Sequence, residues 1–152
     1  MASKKLLTFC FAGLVAAAIF APLVAPVSAQ SGLTRSRLAS APPYRVQQST
    51  VVGTGDVWWT LNGSTLEVSG YFKGLASSAT IARIHMGQMT GVQGNAVLDL
   101  DVETAEDGQS GLITGSVNLS SGQVEALRDG RLYLQLNSEG TENGHLQGWL
   151  LQ

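Results

Sequence analysis

The chain has 152 residues, and its 9 lysines and arginines stand against 11 acidic residues for a net charge of −2. Nucleic acid and anionic membrane surfaces demand a basic footprint that this balance lacks, so both are excluded as partners. A single cysteine, Cys10, rules out any internal disulfide framework.

The first segment reads as a secretory signal peptide. Lys4 and Lys5 form a positive n-region, Leu6 to Val24 is apolar without a charge, and Val27-Ser28-Ala29 offers small residues for cleavage between Ala29 and Gln30. The alternative is an uncleaved anchor, but Pro22 and Pro26 interrupt the apolar run. Removing 29 of the 152 residues leaves 123, with 7 basic residues against 11 acidic ones and no cysteine. The exported chain, periplasmic or extracellular, therefore has no thiol chemistry and rests on its core alone. No membrane association is expected after cleavage.

Residues 30–39 read as a flexible linker and residues 40–152 as one domain, with Leu38 to Val46 as a first edge strand that tolerates Pro42-Pro43. From Val51 the pattern has period two. Asp56 to Leu61 runs into the hairpin signal Asn62-Gly63, and the return strand Thr65 to Phe72 sets Leu66, Val68 and Phe72 against Glu67, Ser69 and Tyr71. Thr80 to Met86 directs Ala82, Ile84 and Met86 inward and Ile81, Arg83 and His85 outward. Ala96 to Glu103 alternates Leu98, Leu100 and Val102 with Asp99, Asp101 and Glu103. Gly111 to Leu119 forms a strand with Ile113, Val117 and Leu119 inward. Ser120 to Gln123 reads as a helix cap, and a short helix from Gln123 to Asp129 is stopped by Gly130. A strand with Leu132, Leu134 and Leu136 on one face follows, then a turn from Glu139 to Gly144 and a last strand from Leu146 to Leu151. The expected fold is all-β: an antiparallel β-sandwich or flattened barrel of seven to eight strands with one short helix.

Three stretches carry a family resemblance. Ala82-Arg83-Ile84-His85-Met86-Gly87 is similar to the Ala-His-Ile-His-Gly of the CHRD domain, the module named from chordin. Leu127, Gly130 and Tyr133 match the family's Leu-x-x-Gly-x-x-Tyr, with Asn137-Ser138 where His-Thr is usual. Gly144-His145-Leu146-Gln147-Gly148 resembles its closing Gly-Glu-Ile-Arg-Gly, and Ala41-Pro42-Pro43 with Gly53-Thr54-Gly55 resembles its opening. The resemblance spans Leu38 to Leu150 and implies the β-sandwich and an exported location. Departures fall on polar positions, so it also implies that any histidine-centred site is altered here.

Arg83, His85 and Asn137 on one face form either a cluster for a carboxylate or sugar hydroxyl, or a structural network in which Arg83 pairs with an acid. His85 and His145, the only histidines, are the candidate metal ligands for zinc or copper. The plainer account gives His85 a hydrogen bond within the sheet and makes His145 a solvated turn residue. Asp99, Asp101, Glu103, Glu106 and Asp107 offer oxygen ligands for calcium but have no EF-hand spacing and read as a solvated face. Trp58 and Trp59 must point to opposite faces. One is core, and the other, with Tyr71, is a candidate contact for a protein or glycan ligand, or packs under a loop. No nucleophile elbow or glycosidase pair is legible, and no cofactor is expected. The resulting expectation is a secreted, non-enzymatic binding or structural module. A metal-binding sandwich with a site on His85 and His145 is the alternative, and self-assembly along a sheet edge is a third reading.

Overall fold

The computed structural model describes residues 32–40 and 52–152. The expected signal peptide, residues 41–51 and the proline pair therefore lie outside the described residues. Eight strands and one helix follow in chain order: β1 Thr34–Ser40, β2 Thr54–Asn62, β3 Thr65–Lys73, β4 Ala79–Met86, β5 Asn95–Thr104, β6 Gly111–Asn118, α1 Ser121–Arg128, β7 Leu132–Ser138 and β8 Thr141–Trp149. All pairings are antiparallel, and the strands close in the order β1-β2-β3-β6-β5-β4-β7-β8, with β8 returning to β1. The all-β expectation holds, in its flattened-barrel form.

Closure is achieved at two corner strands. The first part of β1 pairs with β2 from Thr34 to Leu38, and its last residues, Ala39 and Ser40, pair with β8. In β5, Asn95 to Leu100 pairs with β4, and Asp101 to Thr104 pairs with β6. Two sheets result. The first contains the start of β1, then β2, β3, β6 and the end of β5; the second contains the start of β5, then β4, β7, β8 and the end of β1.

The alternation read from the sequence fills the space between them. Leu66, Val68 and Phe72 of β3, Ala82 and Ile84 of β4, Ile113 of β6, and Leu132, Leu134 and Leu136 of β7 are all buried. Each of the valine, leucine, isoleucine and phenylalanine side chains among them contributes about 1.5–3 kcal/mol. This burial stabilises a chain that has no second cysteine to pair. At one end α1 covers the core with Ala126 and Leu127. Ser120 caps it: its hydroxyl accepts from the Gln123 amide at 3.3 Å, and Gln123 Oε1 accepts from the Ser120 amide at 2.8 Å. Gly130 follows at φ 66° and ends the helix as expected.

Three boundaries differ from the sequence reading. The linker expected over residues 30–39 gives way at Thr34 to β1, in which Ser36 and Leu38 point inward between Arg35 and Arg37. Only one of the two inward residues is apolar, which hid the period. The strand expected over Leu38 to Val46 is described only as far as Ser40, and it is no edge, because β2 flanks it on one side and β8 on the other. The last strand begins at Thr141 rather than Leu146. A register shift opposite β7, with Gly144 at φ 110°, lets the ladder run through the expected turn.

Candidate functional site

The outer face of the first sheet carries a polar and aromatic cluster built by cross-strand register. Arg35 of β1 lies opposite Trp58 of β2, and Arg37 lies opposite Asp56, which in turn faces Tyr71 of β3. The Arg35 guanidinium holds Asp56 Oδ1 at 2.8 Å while its side chain stays 61% exposed. The Tyr71 hydroxyl donates to Asp56 Oδ2 at 2.9 Å. The Arg35 guanidinium carbon also stands 5.9 Å from the Trp58 ring centre, and the Trp58 and Tyr71 rings are 6.2 Å apart. Both rings remain half-exposed, whereas Trp59 is only 2% exposed and its indole N–H donates to Ser36 Oγ at 3.2 Å. Trp58 is thus the outward tryptophan and Trp59 the core one.

Electrostatics inside this cluster are coupled. Burial acts to raise the Asp56 carboxyl, but hydrogen bonds from Tyr71 and Arg35 and the charges of Arg35 and Arg37 outweigh it and hold the group below its ordinary value. The same bond, with the Asp56 charge and burial, pushes Tyr71 up, so its hydroxyl stays protonated at neutral pH. A carboxyl depressed on folding contributes stability above its unfolded value that is lost as pH falls through the lowered folded value. The acid limb of a pH–stability curve, measured by thermal melts below pH 4, is therefore expected to flatten in Asp56→Asn. An unchanged slope would mean that the cluster contributes nothing to acid sensitivity.

The second sheet has a different outer face. His85, Tyr133 and Trp149 lie directly opposite one another across β4, β7 and β8, with ring centres 5.0 Å apart for His85 and Tyr133 and 4.7 Å for Tyr133 and Trp149. The loop of residues 87–94 folds over this row. The Tyr133 hydroxyl donates to the Gly94 carbonyl and accepts from the Gly94 amide, each at 3.1 Å, and His85 Nδ1 donates to the same carbonyl at 3.0 Å. Gln93 donates to Gln147 Oε1 at 3.1 Å. Only glycine fits at position 94, where a Cβ would stand 1.9 Å from the Met86 carbonyl oxygen. Tyr133 is consequently 1% exposed on the outside of a sheet, and its burial raises the phenol more than the Gly94 bond lowers it.

Arg83, His85 and Asn137 do share this face, but the structure does not gather them into a site. Arg83 Nε donates to Asp99 Oδ1 at 2.9 Å, and Asn137 Oδ1 accepts from Gln135 at 3.0 Å. Tyr133, the partner of His85, lies four residues along β7 from Asn137, about 13 Å at the usual strand rise. The network reading, with Arg83 paired to an acid, describes the geometry.

His145 departs most from expectation. It is fully buried rather than a solvated turn residue. Its Nε2 faces the Val52 carbonyl, which requires an N–H there, and Nδ1 accepts from the Ser138 hydroxyl at 2.7 Å. Ser138 in turn accepts from Ser77 at 3.0 Å and from Thr141 at 2.8 Å. With Ser138 five residues from Tyr133 along β7, the two histidines stand roughly 16 Å apart and cannot share a metal. The acidic run behaves as a solvated face: Asp99 pairs with Arg83, and Asp107 accepts from the amides of Gln109 and Ser110 in its own turn. Among the described residues no group of three His, Cys, Asp or Glu side chains is placed to hold a metal ion.

The family model described as the CHRD domain matches residues 34–150, from the first residue of β1 to the residue after β8. The chain belongs to the CHRD domain family. No curated protein and no solved structure matches it significantly. Within this CHRD domain, the family positions Leu127, Gly130 and Tyr133 are all buried, and they serve as core, helix stop and loop clasp respectively. Sequence reasoning missed Arg35 and Asp56 because the assigned linker covered β1. The available signal was the alternation Arg35, Ser36, Arg37, Leu38, two outward cations spaced for one strand face. Among the described residues no helix is long and apolar enough to cross a membrane.

Proposed function

We propose that this CHRD domain is a secreted, non-enzymatic binding module that engages a protein ligand through the outer face of its first sheet. The observation that carries the reading is the cluster of Arg35, Asp56, Trp58 and Tyr71. Half-exposed Trp, Tyr and Arg side chains held in place by mutual bonds are the composition that dominates protein interfaces. Fixing Arg35 through Asp56 also reduces the rotamer entropy lost on binding. The second sheet offers no comparable surface, since the loop of residues 87–94 covers its aromatic row. Export is supported by Lys4 and Lys5, the apolar run and Val27-Ser28-Ala29.

The test uses the chain recovered outside the producing cells, whose intact mass is expected to begin at Gln30. Cross-linking to secreted proteins and a glycan array are then compared for wild type and Trp58→Ala. A protein contact weakened about 30-fold in Trp58→Ala, with the melting temperature nearly unchanged, is the expected result. A Trp58-dependent signal on glycans alone would replace the protein ligand with a sugar. Binding that is indifferent to Trp58 would remove this face from the function.

A further inference from the structure

We infer that the protein partner of this face is a second copy of the same chain, an inference that rests on the binding-module reading. Two cross-strand rows define the surface. One runs Arg37, Asp56, Tyr71, Leu112, Glu103 and the other Arg35, Trp58, Ser69, Thr114, Asp101, each read directly from the strand pairings of β1, β2, β3, β6 and β5. Cations therefore line one margin of the sheet and acids the opposite margin, with Trp58, Tyr71 and Leu112, the last 50% exposed, between them. The side chains of Arg37, Asp101 and Glu103 make no hydrogen bond or ion pair among the described residues.

This pattern is complementary to itself under one of the two limiting directions of an in-plane two-fold axis. An axis in the plane of the interface and parallel to the strands exchanges left and right margins. It then places Arg37 opposite Glu103 of the second copy and Arg35 opposite its Asp101, while Tyr71 meets Tyr71 at the centre. An axis perpendicular to the strands would set arginine on arginine and is disfavoured. The contact is isologous, so each unlike pair forms twice. Glu67 and Lys73 would face their own copies, a like-charge cost that the four unlike pairs have to outweigh. Edge-to-edge assembly, the third reading of the sequence, finds no unpaired strand among the described residues. Five strands averaging about seven residues in this sheet give a footprint of about 19 by 23 Å. A face of this size is smaller than a standard interface, so the expected association is weak and transient.

Sedimentation of the mature chain across about 1 µM to 1 mM tests the inference. A monomer–dimer equilibrium is expected, weakened at least 10-fold in Arg37→Glu and in Glu103→Arg and restored to within about 3-fold of wild type when both are combined. A monomer throughout, or a double variant no better than the single ones, overturns it. If the chain is monomeric yet contacts another protein in a Trp58-dependent way, self-association alone is refuted and the binding-module reading stands.

Discussion

His145→Ala lowers the unfolding free energy by about 2–4 kcal/mol. In a domain of this size that corresponds to a fall of roughly 10 °C in the melting temperature. The alanine removes an imidazole that is fully buried and bonded on both nitrogens. It deprives the Ser138 hydroxyl, itself fully buried, of its acceptor, leaving Ser77 and Thr141 as its partners, and takes the donor from the carbonyl of Val52. An unmade buried bond costs more than the bond was worth, because the stranded group has already lost its water. The network also joins three separate segments, since Ser77 precedes β4, Ser138 ends β7 and Val52 leads into β2. Denaturant melts of His145→Ala, Ser138→Ala and the double variant measure this. The two losses are expected to be less than additive by about 1 kcal/mol, as for residues in one network. A loss below about 1 kcal/mol would show that the end of the barrel does not depend on the histidine.

Tyr133→Ala is expected to cost about 3–5 kcal/mol, the range for deleting a large buried ring. Its more informative companion is Tyr133→Phe. Phenylalanine keeps the stack between His85 and Trp149 but loses the hydroxyl that holds Gly94 from both sides. The expected loss is about 1–2 kcal/mol for the two bonds together. Hydrogen exchange should locate it: the Gly94 amide and the rest of residues 87–94 exchange faster, while the strands stay protected. A Gly94 amide as protected in Tyr133→Phe as in wild type would show that the loop is held without the tyrosine.

Particular residues show how far the sequence could be read. Along β3 and β5 every inward and outward assignment was legible, because one wholly apolar face alternates with one polar face and a slip of one residue would expose it. Ser120, Gln123 and Gly130 marked the helix because their chemistry is local, a side chain bonding to a backbone three residues away. Trp58 and Trp59 were known to part company, though not which would face out. β1 was concealed by Ser36, a polar residue whose inward place is justified only by the indole N–H of Trp59, 23 positions on in the chain. His145 was misread because its partners lie at Val52 and Ser138, and a bulge, not the strand period, turns it inward.

The sequence by itself determined the class of the fold, the content of its core, the helix and the family, since each depends on periodicity or on bonds between near neighbours. Pairing between distant strands decided the rest. The pairing of β1 with β2 brings Arg35 to Asp56, the register of β4, β7 and β8 separates the two histidines, and the order β1-β2-β3-β6-β5 sets the charged margins on one face. Those relations join residues distant in sequence. They are fixed by how apolar faces pack and register, a property of the whole sheet that no single strand encodes.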